Sequence, residues 1–247
     1  MGNGPSLIKW IESKAAFLKG KDIFCVNHFP SSNFYDQVKP KYFVTAAPEL
    51  WINDVDELYI QSSRKLFTDL GNKTTWPLNL FIPFHARKYK DWKTPLESNR
   101  DIRINYYNDT GIEGLDCIKH FFFKNNLAMP RPHNVLIPAI LLAINLGYKK
   151  IYLWGAENNQ VLDLSVNEDN VALINQKHFY DHGSSRPEVM KKRGTGQRHV
   201  HEILHKFMLS FMAYHVLDKY AKRRNAEVIN QTPGSLIDAF DRQSLSD

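Results

Sequence analysis

The segment His178-Phe179-Tyr180-Asp181-His182 sets two histidines, a tyrosine and a carboxylate close together, the residue types that move protons near neutral pH. Imidazole has the unperturbed pKa nearest neutrality, so either histidine is a candidate general base or a partner for phosphate. A second constellation opens the chain, Met1-Gly2-Asn3-Gly4-Pro5-Ser6-Leu7. Glycine permits close backbone approach there, Pro5 suits a first helical turn, and the free N–H groups of a helix start attract phosphate or carboxylate. A third, His201-Glu202-Ile203-Leu204-His205, has the formal spacing of a zinc hydrolase, two histidines one helical turn apart. Its alternative is a set of polar residues beside the apolar stripe Ile203, Leu204, Phe207, Phe211 and Tyr214.

Positioning these groups requires a scaffold, and short β-type runs alternate with helical ones along the chain. Strands are predicted over 22–26, 42–46, 78–82, 102–106, 151–154 and 227–230, and helices over 6–18, 55–70, 135–146, 199–223 and 235–240. Strand-helix alternation of this kind predicts an α/β fold, a Rossmann-like, mostly parallel sheet flanked by helices, in one domain covering 1–247. In such sheets ligands bind beyond the carboxyl ends of the strands. The loops expected there are Asn27 to Pro30, Ala47-Pro48, Gly155 to Asn159, and Gln231-Thr232-Pro233-Gly234-Ser235. The last repeats the logic of the first, a Pro-Gly turn with Thr232 or Ser235 as cap of a following helix, and is expected to offer a second site for an anion. Residues 158–197 are polar, glycine-bearing and without a long apolar period, so they are expected to form a flexible lid insertion carrying the histidines.

A formal net charge of +6 favours anionic partners. Lys191, Lys192, Arg193 and Arg198 flank a glycine-bearing stretch, and Lys219, Lys222, Arg223 and Arg224 end the long helix. No aromatic interleaving marks a nucleic-acid module, so nucleic acid is not expected as a partner. The longest apolar run, 135–146, is too short and broken to span a membrane, and the opening residues do not read as a signal peptide. Cys25 and Cys117 lie far apart in apolar contexts, the pattern of reduced core thiols, which predicts a cytoplasmic protein.

In order along the chain come Gly2-Asn3-Gly4-Pro5-Ser6-Leu7, Val26-Asn27, Arg131 with Asn134, Leu146-Gly147-Tyr148-Lys149-Lys150-Ile151-Tyr152-Leu153-Trp154-Gly155, His178 to His182, and Thr232-Pro233-Gly234-Ser235-Leu236. This set resembles the bacterial sialyltransferases of glycosyltransferase family 42 and the related hydroxymethylpterin diphosphokinase-like proteins of surface-polysaccharide clusters. The resemblance covers most of the chain and implies a GT-A-like variant fold and a CMP-activated sugar donor. It also implies inverting displacement without a metal or other cofactor, and a lid over the donor. Asn3 and Asn27 match asparagines that contact the donor nucleotide, Gly155 a glycine whose backbone approaches it, and Asn134 stands where the family has a serine. Gly2, Gly4, Thr232, Pro233, Gly234 and Ser235 are assigned to the same donor site, and Arg131 matches an arginine beside the donor and acceptor site. His182 matches the general base, with His178 as second choice.

The family's donor-sugar asparagine falls on Ala47, and the tyrosine that assists the leaving phosphate falls near Asn159; Tyr180, Arg186 or Lys191 are the other groups here able to serve that oxygen. A different CMP-linked ulosonic acid such as Kdo, or another nucleotide sugar altogether, therefore fits as well as sialic acid does. The family's first strand precedes its glycine turn, whereas here only Met1 does, so either the start is shortened or an edge arrangement compensates. The acceptor implied is a glycan or lipid-linked sugar, as in lipopolysaccharide. The basic clusters allow peripheral contact with the inner face of the cytoplasmic membrane, and self-association stays open. Two readings of another class remain: a magnesium-dependent diphosphotransferase of the pterin kinase type using Glu157, and a nucleotide-binding module without catalysis.

Overall fold

The computed structural model describes residues 1–175, 177, 179, 185–191 and 196–243. Helix α1 (Leu7–Ser13) and the short α2 (Ala15–Leu18) precede β1 (Phe24–Val26), α3 (Tyr35–Val38) and β2 (Tyr42–Val44). Then come α4 (Glu57–Lys73), β3 (Leu78–Pro83), β4 (Ile102–Tyr107), α5 (Asp116–Lys124), α6 (Leu136–Asn145) and β5 (Lys150–Leu153). The remainder holds β6 (Ser165–Val166), β7 (Ala172–Ile174), β8 (Glu188–Val189), α7 (Val200–Arg223) and β9 (Glu227–Asn230).

Strands β1 to β4 form a four-stranded sheet in that order, and β5 pairs with β9; every pairing in both is parallel. Successive side chains of a strand point to opposite faces, and here that period sorts the core in two. Cys25, Phe43, Leu78, Leu80 and Ile82 face a cluster with α1 and α4, while Val26 and Val44 face one built on α6 and α7. Helix α6 is buried over its whole length apart from Asn145, as expected of a crossover between sheet and outer helix. The α/β layout with a parallel sheet flanked by helices is therefore the observed one.

Several local expectations are corrected. The helix predicted over 6–18 breaks at Lys14 (φ −121°, ψ 27°), and the change of direction lays Phe17 on Tyr152 and Trp154 at ring separations of 5.6 and 5.4 Å. Residues 235–240 form no helix. Their backbone groups are spent on tertiary partners: Leu236 N–H donates to Glu157 O at 2.8 Å, Asn230 Nδ2 donates to Ile237 O at 3.1 Å, and Asn230 N–H reaches Asp241 O at 2.8 Å. Helix α5 was not expected, because its apolar stripe spans only two turns and Phe121 remains exposed. Within 158–197 lies a small antiparallel sheet, β6-β7-β8; alternation over two or three residues per strand is too brief to register in a sequence. Cys117 is exposed on α5, whereas Cys25 is buried as expected. Among the described residues no helix is long and apolar enough to cross a membrane.

Candidate functional site

The chain turns sharply where β1, β5 and β9 end, and residues in left-handed conformation mark each turn: Asn27 (φ 51°), Gly155 (φ 62°), Asn158 (φ 47°) and Gly234 (φ 65°). Asparagine is the non-glycine residue that best tolerates this region. The opening turn packs directly against the loop after β5. Gly2 N–H donates to Trp154 O at 2.7 Å and Gly4 N–H to Gly155 O at 2.8 Å. A Cβ on Gly2 would lie 2.2 Å from the Gly155 carbonyl oxygen, so only glycine allows this contact.

An anion does sit at the start of α1, and it is the protein's own. The buried Glu157 carboxylate accepts the Ser6 N–H through Oε1 at 2.7 Å. A Cβ on Gly4 would fall 1.6 Å from Glu157 Oε2, so the absence of a side chain at Gly4 is what admits the carboxylate. A carboxylate at a helix start satisfies an orphan N–H and complements the dipole. Oε2 itself is buried without a hydrogen-bond partner among the described residues.

Asn3, between the two glycines, is also buried. Its Nδ2 donates to Val26 O at 3.0 Å, tying the opening turn to the end of β1, and its Oδ1 has no partner among the described residues. A buried acceptor left open calls for a donor from water or ligand. Phe179 N–H donates to the Asn3 backbone carbonyl at 2.9 Å, and its ring packs on Phe29 at 5.8 Å. The described part of the 158–197 stretch thus reaches over Asn3 and is anchored there by a core aromatic. His178, Tyr180 and His182 lie outside the described residues.

A hydrogen-bonded chain crosses from the start of α6 to α7. Leu136 N–H donates to Asn134 Oδ1 (2.8 Å), Asn134 Nδ2 to Asn158 Oδ1 (3.0 Å), and Asn158 Nδ2 to the Tyr214 hydroxyl (2.7 Å). Burial holds the Tyr214 phenol well above its usual pKa, with the Asn158 hydrogen bond opposing it, so the hydroxyl stays protonated. Beside Asn134 stands His133, whose pKa burial pushes down, aided by the neighbouring Lys206, Arg131, His205 and Arg198. Four cationic or ionisable groups from three segments therefore bear on one histidine at this corner.

Thr232 and Ser235 are both buried and knit the β9 loop to the β5 loop. The Thr232 hydroxyl accepts from Ala156 N–H at 3.1 Å and lies 3.3 Å from Leu153 O, while Ser235 Oγ donates to Ala156 O at 2.7 Å. They position the Gly155–Glu157 backbone rather than cap a helix, and Pro233-Gly234 forms the turn between them. Arg131 is exposed, and its guanidinium is paired with Glu113 at 2.5 Å. Asn159 is half-buried at the start of a 3-10 turn (Gln160–Asp163). Lys191 is held by Asp56 at 2.6 Å, and Ala47 begins the turn after β2.

On α7, Glu202 closes a capping box with His199, accepting its N–H at 2.8 Å, and both His201 and His205 are exposed. No group of three metal-ligating side chains is assembled among the described residues. The structure therefore brings together Gly2, Asn3, Gly4, Asn27, Gly155, Thr232, Pro233, Gly234 and Ser235, with Asn134 joined to them through Asn158. It leaves Arg131 at the rim. Sequence reading missed Tyr214, assigned only to an apolar stripe, and the link Asn158 makes to it. Left-handed Asn at a strand end was the available signal for Asn158. Comparison of the chain with protein-family models, with curated proteins and with solved structures finds no match.

Proposed function

We propose that this protein is a glycosyltransferase that moves a sugar from a nucleotide donor, an acidic CMP-linked ulosonic acid such as sialic acid or Kdo, to a glycan or lipid-linked acceptor. The observation that carries the reading is the buried Asn3 Oδ1, without a partner among the described residues, at the carboxyl end of β1, where a parallel sheet collects ligands. An exocyclic amine such as that of cytosine supplies the missing donor. The positive groups around His133, one residue from Asn134, suit the donor's phosphate and carboxylate. Phe179 over Asn3 is where the lid would lift for donor entry.

In the proposed step His182, or His178 in its place, takes the proton of the acceptor hydroxyl while that oxygen attacks the anomeric carbon. The bond from that carbon to the phosphate oxygen breaks with its electron pair on CMP, and the configuration inverts. The charge growing on phosphate is met by Tyr180, Asn159 or a cation of the lid, and no metal is assigned a part. The basic end of α7 would meet the membrane surface that carries a lipid-linked acceptor.

Thermal stabilisation by CMP, CDP, UDP, GDP and ATP, each with and without EDTA, tests the proposal, since a ligand bound only by the folded state raises apparent stability. Chelator-insensitive stabilisation by CMP is the expected result, followed by loss of transfer in His182→Ala by about 10²-fold or more with CMP binding retained. Stabilisation by ATP only with Mg²⁺ would replace the reading with the diphosphotransferase.

A further inference from the structure

The last turn of α1 and the chain that follows β9 wall an open cleft of about 450 Å³. Three of its lining residues are cations: Lys9 on α1, Lys14 where that helix ends, and Arg242, next to the residue that bridges back to Ile229 of β9. Among the described residues no acidic side chain lines the cleft. Like charges gathered on one concave surface raise the local potential and draw in an anion. The cleft lies at the far end of α1 from Asn3, so it is a different place from the one assigned to the nucleotide donor.

Gln231 belongs to the same wall, and it is held firmly. It is 5 % exposed, its backbone N–H donates to Leu153 O at 3.0 Å, and its side-chain Oε1 accepts the Trp154 indole N–H at 2.6 Å. An indole nitrogen only donates, so the atom that meets it is the amide oxygen and Nε2 is the donor Gln231 has left. Nε2 is buried with no partner among the described residues. A buried amide donor in that state calls for an acceptor oxygen. Trp154 also stacks on Trp10, at a ring separation of 5.0 Å with 13° between the planes. One face of Trp10 is thereby covered and its ring fixed, and the remainder lines the cleft beside Pro233. Arg242 is oriented as well, one guanidinium N–H donating to the Ser235 carbonyl.

From the cations, the open Gln231 donor and the fixed indole, we propose that this cleft binds a phosphorylated sugar, either free or as the sugar phosphate of a nucleotide. A phosphate monoester carries about −1.5 to −2 charges near neutral pH and presents three strong acceptor oxygens. Arg242 meets two of them with its planar fork, and Lys9 and Lys14 answer the remaining charge as ammonium groups. A sugar ring shows C–H groups on its faces and oxygens at its rim. Its face lies on Trp10 and Pro233, and a rim oxygen accepts from Gln231 Nε2. Inorganic phosphate would meet the cations but leave the amide and the indole unused, and a neutral sugar would do the reverse. The inference does not depend on which group, if any, the protein transfers.

The test is calorimetric titration of the full chain with ribose 5-phosphate, with ribose and inorganic phosphate as controls. Ribose 5-phosphate is expected to bind at least about tenfold more tightly than either control. The double variant Lys9→Glu/Arg242→Glu changes two exposed positions and is expected to weaken that binding by about tenfold or more at unchanged Tm. Gln231→Glu keeps an oxygen for the Trp154 N–H, replaces the open donor with a second oxygen, and is expected to weaken binding likewise; where it fails to fold, the double variant decides alone. Equal affinity for ribose 5-phosphate and inorganic phosphate, binding untouched by the double variant, or no binding at about 10 mM ligand would each overturn the proposal. Competition with CMP separates the two sources. Displacement of ribose 5-phosphate by CMP identifies a nucleotide as the occupant, and lack of displacement identifies a free sugar phosphate. The donor site at Asn3 is read by CMP binding that survives in the double variant, so the two readings fail separately.

Discussion

The carboxylate of Glu157 and the backbone N–H of Ser6 meet at 2.7 Å across 151 positions of sequence. The contact fastens the loop after β5 to the start of α1, and it exists because Gly4 has no side chain. Gly4→Ala is expected to displace the carboxylate and leave the Ser6 N–H unpaired, costing about 1–3 kcal/mol. In a Glu157→Ala background the same substitution meets no carboxylate and costs clearly less. Urea unfolding of the two single variants and the double variant measures the coupling, expected at about 1 kcal/mol or more; additivity within error would mean the two residues do not compete for this space.

The Tyr214 hydroxyl ends the chain that runs from Asn134 through Asn158. Tyr214→Phe keeps the ring against Phe240 and removes only the acceptor of the Asn158 amide, for a cost of about 1 kcal/mol. Tyr214→Ala empties a fully buried site and is expected to cost about 3–5 kcal/mol. Under the proposed function, Tyr214→Phe also weakens nucleotide binding by loosening Asn134. Isothermal titration with CMP reads that effect separately from stability.

Two thiols differ by environment. Burial pushes the Cys25 thiol up to about 12, with the Met1 ammonium opposing, so almost no thiolate exists near neutral pH. Cys117 is exposed. Ellman's reagent is expected to find one reactive thiol in the native protein and both in denaturant, with Cys117→Ser abolishing the native reaction. A fast second equivalent from the native state would contradict the buried placement of Cys25.

His120 on α5 is buried against Phe123 and Tyr220, with neither ring nitrogen hydrogen-bonded among the described residues. Burial, and then the nearby Arg223, hold its pKa below the usual 6.5. The folded state therefore binds this proton less readily than the unfolded chain does. Its contribution to stability is fully present above pH 6.5 and is lost as the pH falls from there through the lowered folded value. The urea midpoint should drop between pH 7.5 and 5 more in the wild type than in His120→Gln; equal drops would assign the acid sensitivity elsewhere, with His133 the next group to test.

Every strand of the two parallel sheets is visible in the sequence because each is a short apolar run between turn residues. Helices α4, α6 and α7 are visible because their apolar spacing persists over at least ten residues. The 235–240 segment misled because its apolar residues Ile237 and Phe240 are buried at a helix-like spacing. Asn230 and Glu157 capture the local backbone instead, and such capture depends on partners remote in sequence. The same limit applied to β6-β7-β8, short strands within the stretch expected to lack elements.

By itself the sequence determined the alternation of strands and helices, which strand ends carry polar turns, and that a helix-starting turn opens the chain, since these depend on local spacing and on residue type. Only the tertiary structure decided that the anion at that turn is Glu157, and that Thr232 and Ser235 hold backbone instead of capping a helix. Those outcomes depend on which side chains arrive from the other end of the chain, and on how much space they leave when they do.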